Sequence, residues 1–242
     1  MKFHLQLRID QTQARNLLES KKMSEPVFSF LHPFRLIIAG PSQSGKTYFC
    51  KRLISQCQEL ISPPPSQIIW GYGESNRNQI KSIRENCPVK IEFVEGLPDL
   101  SDIGSEENTL LVLDDLMHLV GNSQVISEMF TQMSHHQNMS VILMLQNIFH
   151  QGKSMRDVSI NAKYIVLFKN PRDSGQIQHL ARQIYPKNSK FLIDAFEKAT
   201  KRPHGYLILD FAQNTEENRR VFTGIFSPNE VMIGYIPLSG KR

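Results

Sequence analysis

Glycine, lysine and a hydroxyl side chain gather in one short stretch, GPSQSGKT, residues 40–47. It fits the pattern G-x-x-x-x-G-K-[ST], with an apolar run before it and apolar residues at helical spacing after it. The chemistry such a stretch suits is the holding of a polyphosphate. Glycine at 40 and 45 opens backbone conformations closed to other residues and lets a ligand approach closely. Successive N–H groups then turn inward as an anion nest, with the positive end of the following helix behind them. Lys46 is expected to reach the β- and γ-phosphates, and the Thr47 hydroxyl to ligate Mg²⁺. Gly40, Pro41, Ser42, Gln43, Ser44, Gly45, Lys46, Thr47 and the adjoining Tyr48 form the expected ATP-binding set.

A nucleotide site of this kind also needs carboxylates. TLLVLDD (109–115) ends an apolar run on two of them. Asp114 is expected to hold Mg²⁺ through water, and Asp115 to polarise the attacking water. Asp115 is shorter than the glutamate common at that position, and a strand-end cap is the alternative role for either residue. SVILMLQ (140–146) ends on Gln146, expected to be buried beside the γ-phosphate, where it would sense that group or orient water, with a satisfied strand-end amide as the alternative. In FKNPRD (168–173), Asn170 and Asp173 have the spacing of a guanine-reading N-K-x-D motif, but Pro171 stands in the place of the lysine. Asp173 reads better as a helix cap. His135 and His136 diverge on an extended chain and no second pair follows at ligand spacing, which speaks against a metal there. Arg77, Lys81 and Arg84 share one face of an expected helix over 76–87, either as solvated surface or against nucleic-acid phosphates. The doublets Lys21-Lys22, Lys201-Arg202 and Arg219-Arg220 are open to the same two readings.

These residues need a scaffold. Strand-like runs recur at 34–40, 67–73, 89–95, 109–115, 140–146, 163–170 and 205–211. Several are continuously apolar, the pattern of strands buried on both faces of a mainly parallel sheet. Helical patterns fall between them, over 46–61, 122–133, 173–186 and 189–200, the third opening on Asp173 with Gln176 three residues on. Alternation of this kind predicts an open α/β sheet in a single domain. The chain has 242 residues, enough for one substantial core, and a net charge of +5 that favours an anionic partner without fixing which. Cys50, Cys57 and Cys87 lack C-x-x-C spacing and read as reduced thiols of an intracellular protein. No apolar run reaches the ~18 residues a membrane span needs, so no membrane role is expected. The expected division is an N-terminal extension over 1–27, a P-loop ATPase core over 28–228 and a C-terminal tail over 229–242.

PFRLIIAGPSQSGKT (33–47), LLVLDDL (110–116) and the block from His135 to Asp173 together carry a family resemblance. The chain resembles the genome-packaging ATPases of large DNA viruses and of Maverick/Polinton or adintovirus-type elements, within the FtsK–HerA superfamily. The discriminating parts are Gln146-Asn147 and SMRDVSINAKYIVLFKNPRD (154–173); RPHGYLILDF (202–211) is similar to the stretch closing the Polinton-type core. The resemblance implies a RecA-like ASCE P-loop NTPase, with a mainly parallel sheet flanked by helices. It implies a ring, hexamer or pentamer, with ATP between subunits and Mg²⁺ beside it. It further implies an arginine acting on the neighbour's ATP, Arg156 first and Arg172 second, since Lys46 has no evident second cation from its own loop. Double-stranded DNA and a capsid or portal protein are the implied partners, in the host nucleus or at a viral assembly site. A P-loop small-molecule kinase and a non-hydrolysing nucleotide-binding adaptor are the alternatives.

Overall fold

The computed structural model describes residues 6–8, 28–73, 80–99, 107–114, 116, 138–148, 158–226 and 228–237. Asp115, Arg156, Arg77, the histidine pair and the expected helix at 122–133 lie outside the described residues. In chain order the elements are β1 (Gln6–Arg8), β2 (Phe30–Leu31), β3 (Arg35–Ala39), α1 (Lys46–Ser55), α2 (Cys57–Leu60), β4 (Ile61–Ser62) and β5 (Gln67–Tyr72). There follow α3 (Ile80–Glu85), β6 (Lys90–Glu95), β7 (Thr109–Asp114), β8 (Met139–Leu145), β9 (Tyr164–Phe168), α4 (Gly175–Ile184) and α5 (Ser189–Ala199). The chain then returns as β10 (Tyr206–Asp210), β11 (Val221–Thr223) and β12 (Ile233–Tyr235).

Among the described residues, the main sheet runs β1-β12-β11-β10-β9-β3-β8-β7-β5-β6. From β9 to β6 every pairing is parallel. From β9 outward to β1 every pairing is antiparallel. The run at 205–211 is thus a strand, but one that reverses direction. All six residues of β7 and all seven of β8 are buried, as continuous apolar strands in a sheet covered on both faces must be. The edge strand β6 instead mixes exposed and half-buried residues.

Alternate side chains of the strands build two cores. Ile37, Leu111, Leu143, Ile165 and Leu207 meet Leu180 of α4 and Leu192 of α5 on one face. Leu36, Ile38, Leu110, Ile142 and Val166 meet Phe49 and Leu53 of α1, with Trp70, on the other. The fold is an α/β fold with a mainly parallel central sheet flanked by helices. Its strand β3 runs into the phosphate-loop motif, and β8 stands between β3 and the aspartate strand β7. The helix expected over 46–61 is shorter than its pattern: it stops at Ser55, Gln56 leaves helical geometry, and Ile61 is already strand. Asp173 bonds the first turn of α4. Its carboxylate accepts the Gly175 N–H at 3.0 Å and the Gln176 side-chain amide at 2.7 Å. The cysteines are free thiols, and burial pushes Cys57 up to about 11. Among the described residues, no helix is long and apolar enough to cross a membrane.

Candidate nucleotide site

β3 ends at Ala39, and the Gly40 N–H still bonds the Leu145 carbonyl of β8 at 3.1 Å, so the loop leaves from the centre of the sheet. Glycine is required at 40 by space: a Cβ there would lie 2.6 Å from Phe168 Cβ and 2.7 Å from Ser44 Oγ. The loop closes on itself through Ser44 N–H to Pro41 O at 3.2 Å. Gln43 and Gly45 take positive φ, 64° and 111°. The first bond of α1 runs from Phe49 N–H to Gly45 O at 2.9 Å. The N–H groups of residues 45–48 therefore lie ahead of the helix's own ladder, as an anion nest needs. Lys46 is only 8% exposed. Its ammonium donates to Gly40 O at 2.6 Å and Pro41 O at 3.0 Å, which holds the charge inside the loop. Tyr48 is 64% exposed on the first turn of α1, beside the nest.

Asp114 ends β7 and is 3% exposed. It has contacts within the protein, and its oxygen Oδ2 is buried without a hydrogen bond from a described residue. On α1, burial and then the Asp114 charge push the Cys50 thiol well above its usual range. A nest of N–H groups, a buried lysine, the Thr47 hydroxyl and a carboxylate oxygen of this kind fit a nucleotide with Mg²⁺; Thr47 and Asp114 are the residues that would hold the metal. Gln146 follows Leu145, whose partner in the register is Ala39, so it stands next to the mouth of the loop. It is exposed, not buried as the apolar strand before it suggested. The strand's burial ends one residue earlier, at Leu145.

The wall opposite the loop comes from a distant part of the chain. The turn between α5 and β10 carries Lys201, Arg202 and His204 to the phosphate loop, and Lys169 joins them from the end of β9. The cleft between these residues and Pro41–Ser44 has a volume of about 390 Å³. These cations come from outside the loop, from the end of β9 and the turn after α5. Sequence spacing could not see this, because residues 160 positions apart meet: a ring nitrogen of His204, Nδ1, lies 3.1 Å from Ser44 O. A signal was present in R-P-H-G directly ahead of a strand, a turn in which histidine tolerates positive φ, here 58°. The exposed Arg172 sits in the turn after β9, and its backbone N–H bonds Asn170 Oδ1 at 3.1 Å. On α3, Lys81 and Arg84 are exposed, and the Arg84 guanidinium lies 5.4 Å from the Phe93 ring centre.

The C-terminal segment clamps α1 from behind. Glu230 accepts from Arg52 Nη1 and from the Tyr206 hydroxyl, each at 2.5 Å. The same hydroxyl accepts the Ile225 N–H at 3.0 Å. Burial, then the hydrogen bond and charge of Glu230, push the phenol above its usual range, so it stays a donor. Arg52 also stacks on Phe226, 4.2 Å from the ring centre.

No protein-family model matches the chain. No curated protein matches it either. Among solved structures it is similar to the genome packaging NTPase B204 of Sulfolobus turreted icosahedral virus 2. In that protein's complex with sulfate the identity is 16% and the TM-score 0.47, over 86% of this chain and 98% of that one. In its complex with ATP-gammaS the identity is 15% and the TM-score 0.47, over 85% and 98%. A KaiC-like protein of Pyrococcus horikoshii OT3 is similar at 13% identity and a TM-score of 0.44, over 84% of this chain and 90% of that one.

Proposed function

We propose that this protein is an ATP-hydrolysing motor that packages the double-stranded DNA of a virus or an integrated element into a capsid. The observation that supports it is convergence at one edge of the sheet. The loop with Lys46, the Asp114 carboxylate and Gln146 stand at the ends of the adjacent strands β3, β7 and β8. The motor reading rests further on the resemblance carried by Gln146-Asn147 and by residues 154–173.

In this reading the loop N–H groups and Lys46 hold the phosphates, and Tyr48 lies on the side of the nucleoside. Lys46 leaves its two carbonyl partners as the phosphates arrive. Asp114 and Thr47 hold Mg²⁺, which when bound neutralises charge on the phosphate oxygens. Asp115 orients and polarises the attacking water, and Gln146 senses the γ-phosphate. Arg156 of a neighbouring subunit, or failing it Arg172, completes the site across a hexameric or pentameric ring of the FtsK–HerA kind. A Polinton-type element, a capsid or portal partner, and action in the host nucleus or at a viral assembly site belong to the same reading.

The test is phosphate release from ATP with and without duplex DNA. Stimulation by duplex of any sequence is expected, weakening as salt rises because phosphate contacts release counterions. Hydrolysis indifferent to DNA would favour a small-molecule kinase, and absence of hydrolysis a nucleotide-binding adaptor.

A further inference from the structure

We infer that His204 is a positioning residue for the phosphate loop: its imidazole locks the Ser44–Gly45 peptide so that the Gly45 N–H faces a bound phosphate. The inference rests on the nucleotide-site reading above and assigns one of its donors to a distant turn.

The Ser44 carbonyl can only accept a hydrogen bond. At 3.1 Å from it, His204 Nδ1 must carry the hydrogen and donate. That carbonyl and the Gly45 N–H belong to one planar trans peptide and point in opposite directions. Holding the carbonyl toward His204 holds the N–H away from it, to the concave side of the loop. Gly45 does not hold this peptide by itself. At φ 111° it occupies a region open to glycine, and a glycine allows the peptide to rotate with little steric resistance. Among the described residues, the hydrogen bond on this carbonyl comes from outside the loop, from His204.

The turn that carries His204 is built to hold it. The Thr200 hydroxyl bonds Phe196 O at 2.7 Å, so the turn is fastened to the end of α5. The Gly205 N–H bonds Arg202 O at 3.0 Å. A Cβ at 205 would lie 2.5 Å from Ala199 O, so the backbone is pressed against the helix end. His204 itself sits at φ 58°, a conformation an L residue keeps when its surroundings over-determine it. The contact is tight as well: a Cβ at Gly45 would lie 3.2 Å from His204 Cβ and 3.3 Å from its Nδ1.

Dissociation constants for MgADP and for inorganic pyrophosphate, which lacks the nucleoside, test this on the full chain. His204→Gly removes the imidazole at a φ glycine adopts without strain. It is expected to weaken both ligands by about three- to tenfold, the equivalent of one hydrogen bond. His204→Asn places an amide donor at the same reach and tolerates positive φ, so affinity should return to within about twofold of the wild type. A folded His204→Gly protein that binds pyrophosphate like the wild type overturns the inference. So does a folded His204→Asn protein that binds as weakly as the glycine variant. If the glycine variant does not fold, His204→Ala takes its place: weaker binding by the alanine than by the asparagine protein supports the lock, and equal affinity overturns it. A wild-type protein that binds neither probe overturns the nucleotide-site reading itself.

Discussion

The two halves of the sheet divide the work. On the parallel side, β3, β8 and β7 all end at the same edge, and the groups that would meet phosphate and metal stand on those ends. On the antiparallel side, β10 to β12 carry no such group. They bring back the chain that fastens α1 through Glu230, and β10 follows directly on the turn that carries His204 to the loop. Parallel strands share one direction, so their ends accumulate at one edge and build a site. Antiparallel strands alternate and gain something different: a short return path that lets late residues brace early ones.

If this division holds, a change on the parallel side should cost rate, and one on the antiparallel side should cost stability. The largest effect is expected for Lys46→Ala. It removes the buried ammonium that would stabilise the transferring phosphoryl group, and ATP turnover should fall by about 10²-fold or more. Its urea midpoint should move less than that of the next variant. Tyr206→Phe deletes a hydroxyl that serves both Glu230 and the Ile225 N–H. Leaving these groups unsatisfied should cost about 1–3 kcal/mol of unfolding free energy. MgADP affinity should hardly change; a large affinity loss without a stability loss would erase the distinction between the halves.

The smallest effect is a pH dependence at the opposite edge of the sheet. His32 Nε2 lies 3.1 Å from both Asn138 O and Asn138 Oδ1. Its Nδ1 faces the Ser140 hydroxyl, whose oxygen accepts the Phe34 N–H. Nε2 therefore donates and Nδ1 accepts, which is the neutral ring. Burial lowers its pKa below the ordinary 6.5, opposed by the Asn138 bonds and aided by the nearby Lys163 charge. The folded state disfavours the proton, so stability is full above the ordinary value and is lost as pH falls through the lowered one. Urea midpoints at pH 7.5 and 5.5 should drop more for the wild type than for His32→Gln, and equal drops would remove His32 as the cause.

Much of this was legible in residue types. Gly40, Gly45, Lys46 and Thr47 lie in one contiguous stretch, and a local loop is encoded locally. All seven runs became strands, and the continuously apolar ones did so because burying such a segment on both faces admits few other solutions. Asp173 bonds the first turn of α4 because its partners are two and three residues away. The misreadings lie where long-range packing intervenes. The apolar spacing through Ile61 suggested a longer helix, but Ile61 and Phe30 pair as short parallel strands, and that closes α2 at Leu60. Gln146 looked buried because the residues before it are, yet it follows the last buried residue of the strand.

By itself the sequence determined the phosphate loop, the aspartate-ended strand and the α/β class, since each depends on neighbours within a few residues or on a repeating pattern. Tertiary structure alone decided the strand order, the reversal at β10, the joining of Gln6–Arg8 to Ile233–Tyr235 at the sheet edge, and the meeting of Ser44 with His204. Those contacts span many tens of residues. Local propensity carries no record of them, and the burial of two continuous cores against one twisted sheet brings them about.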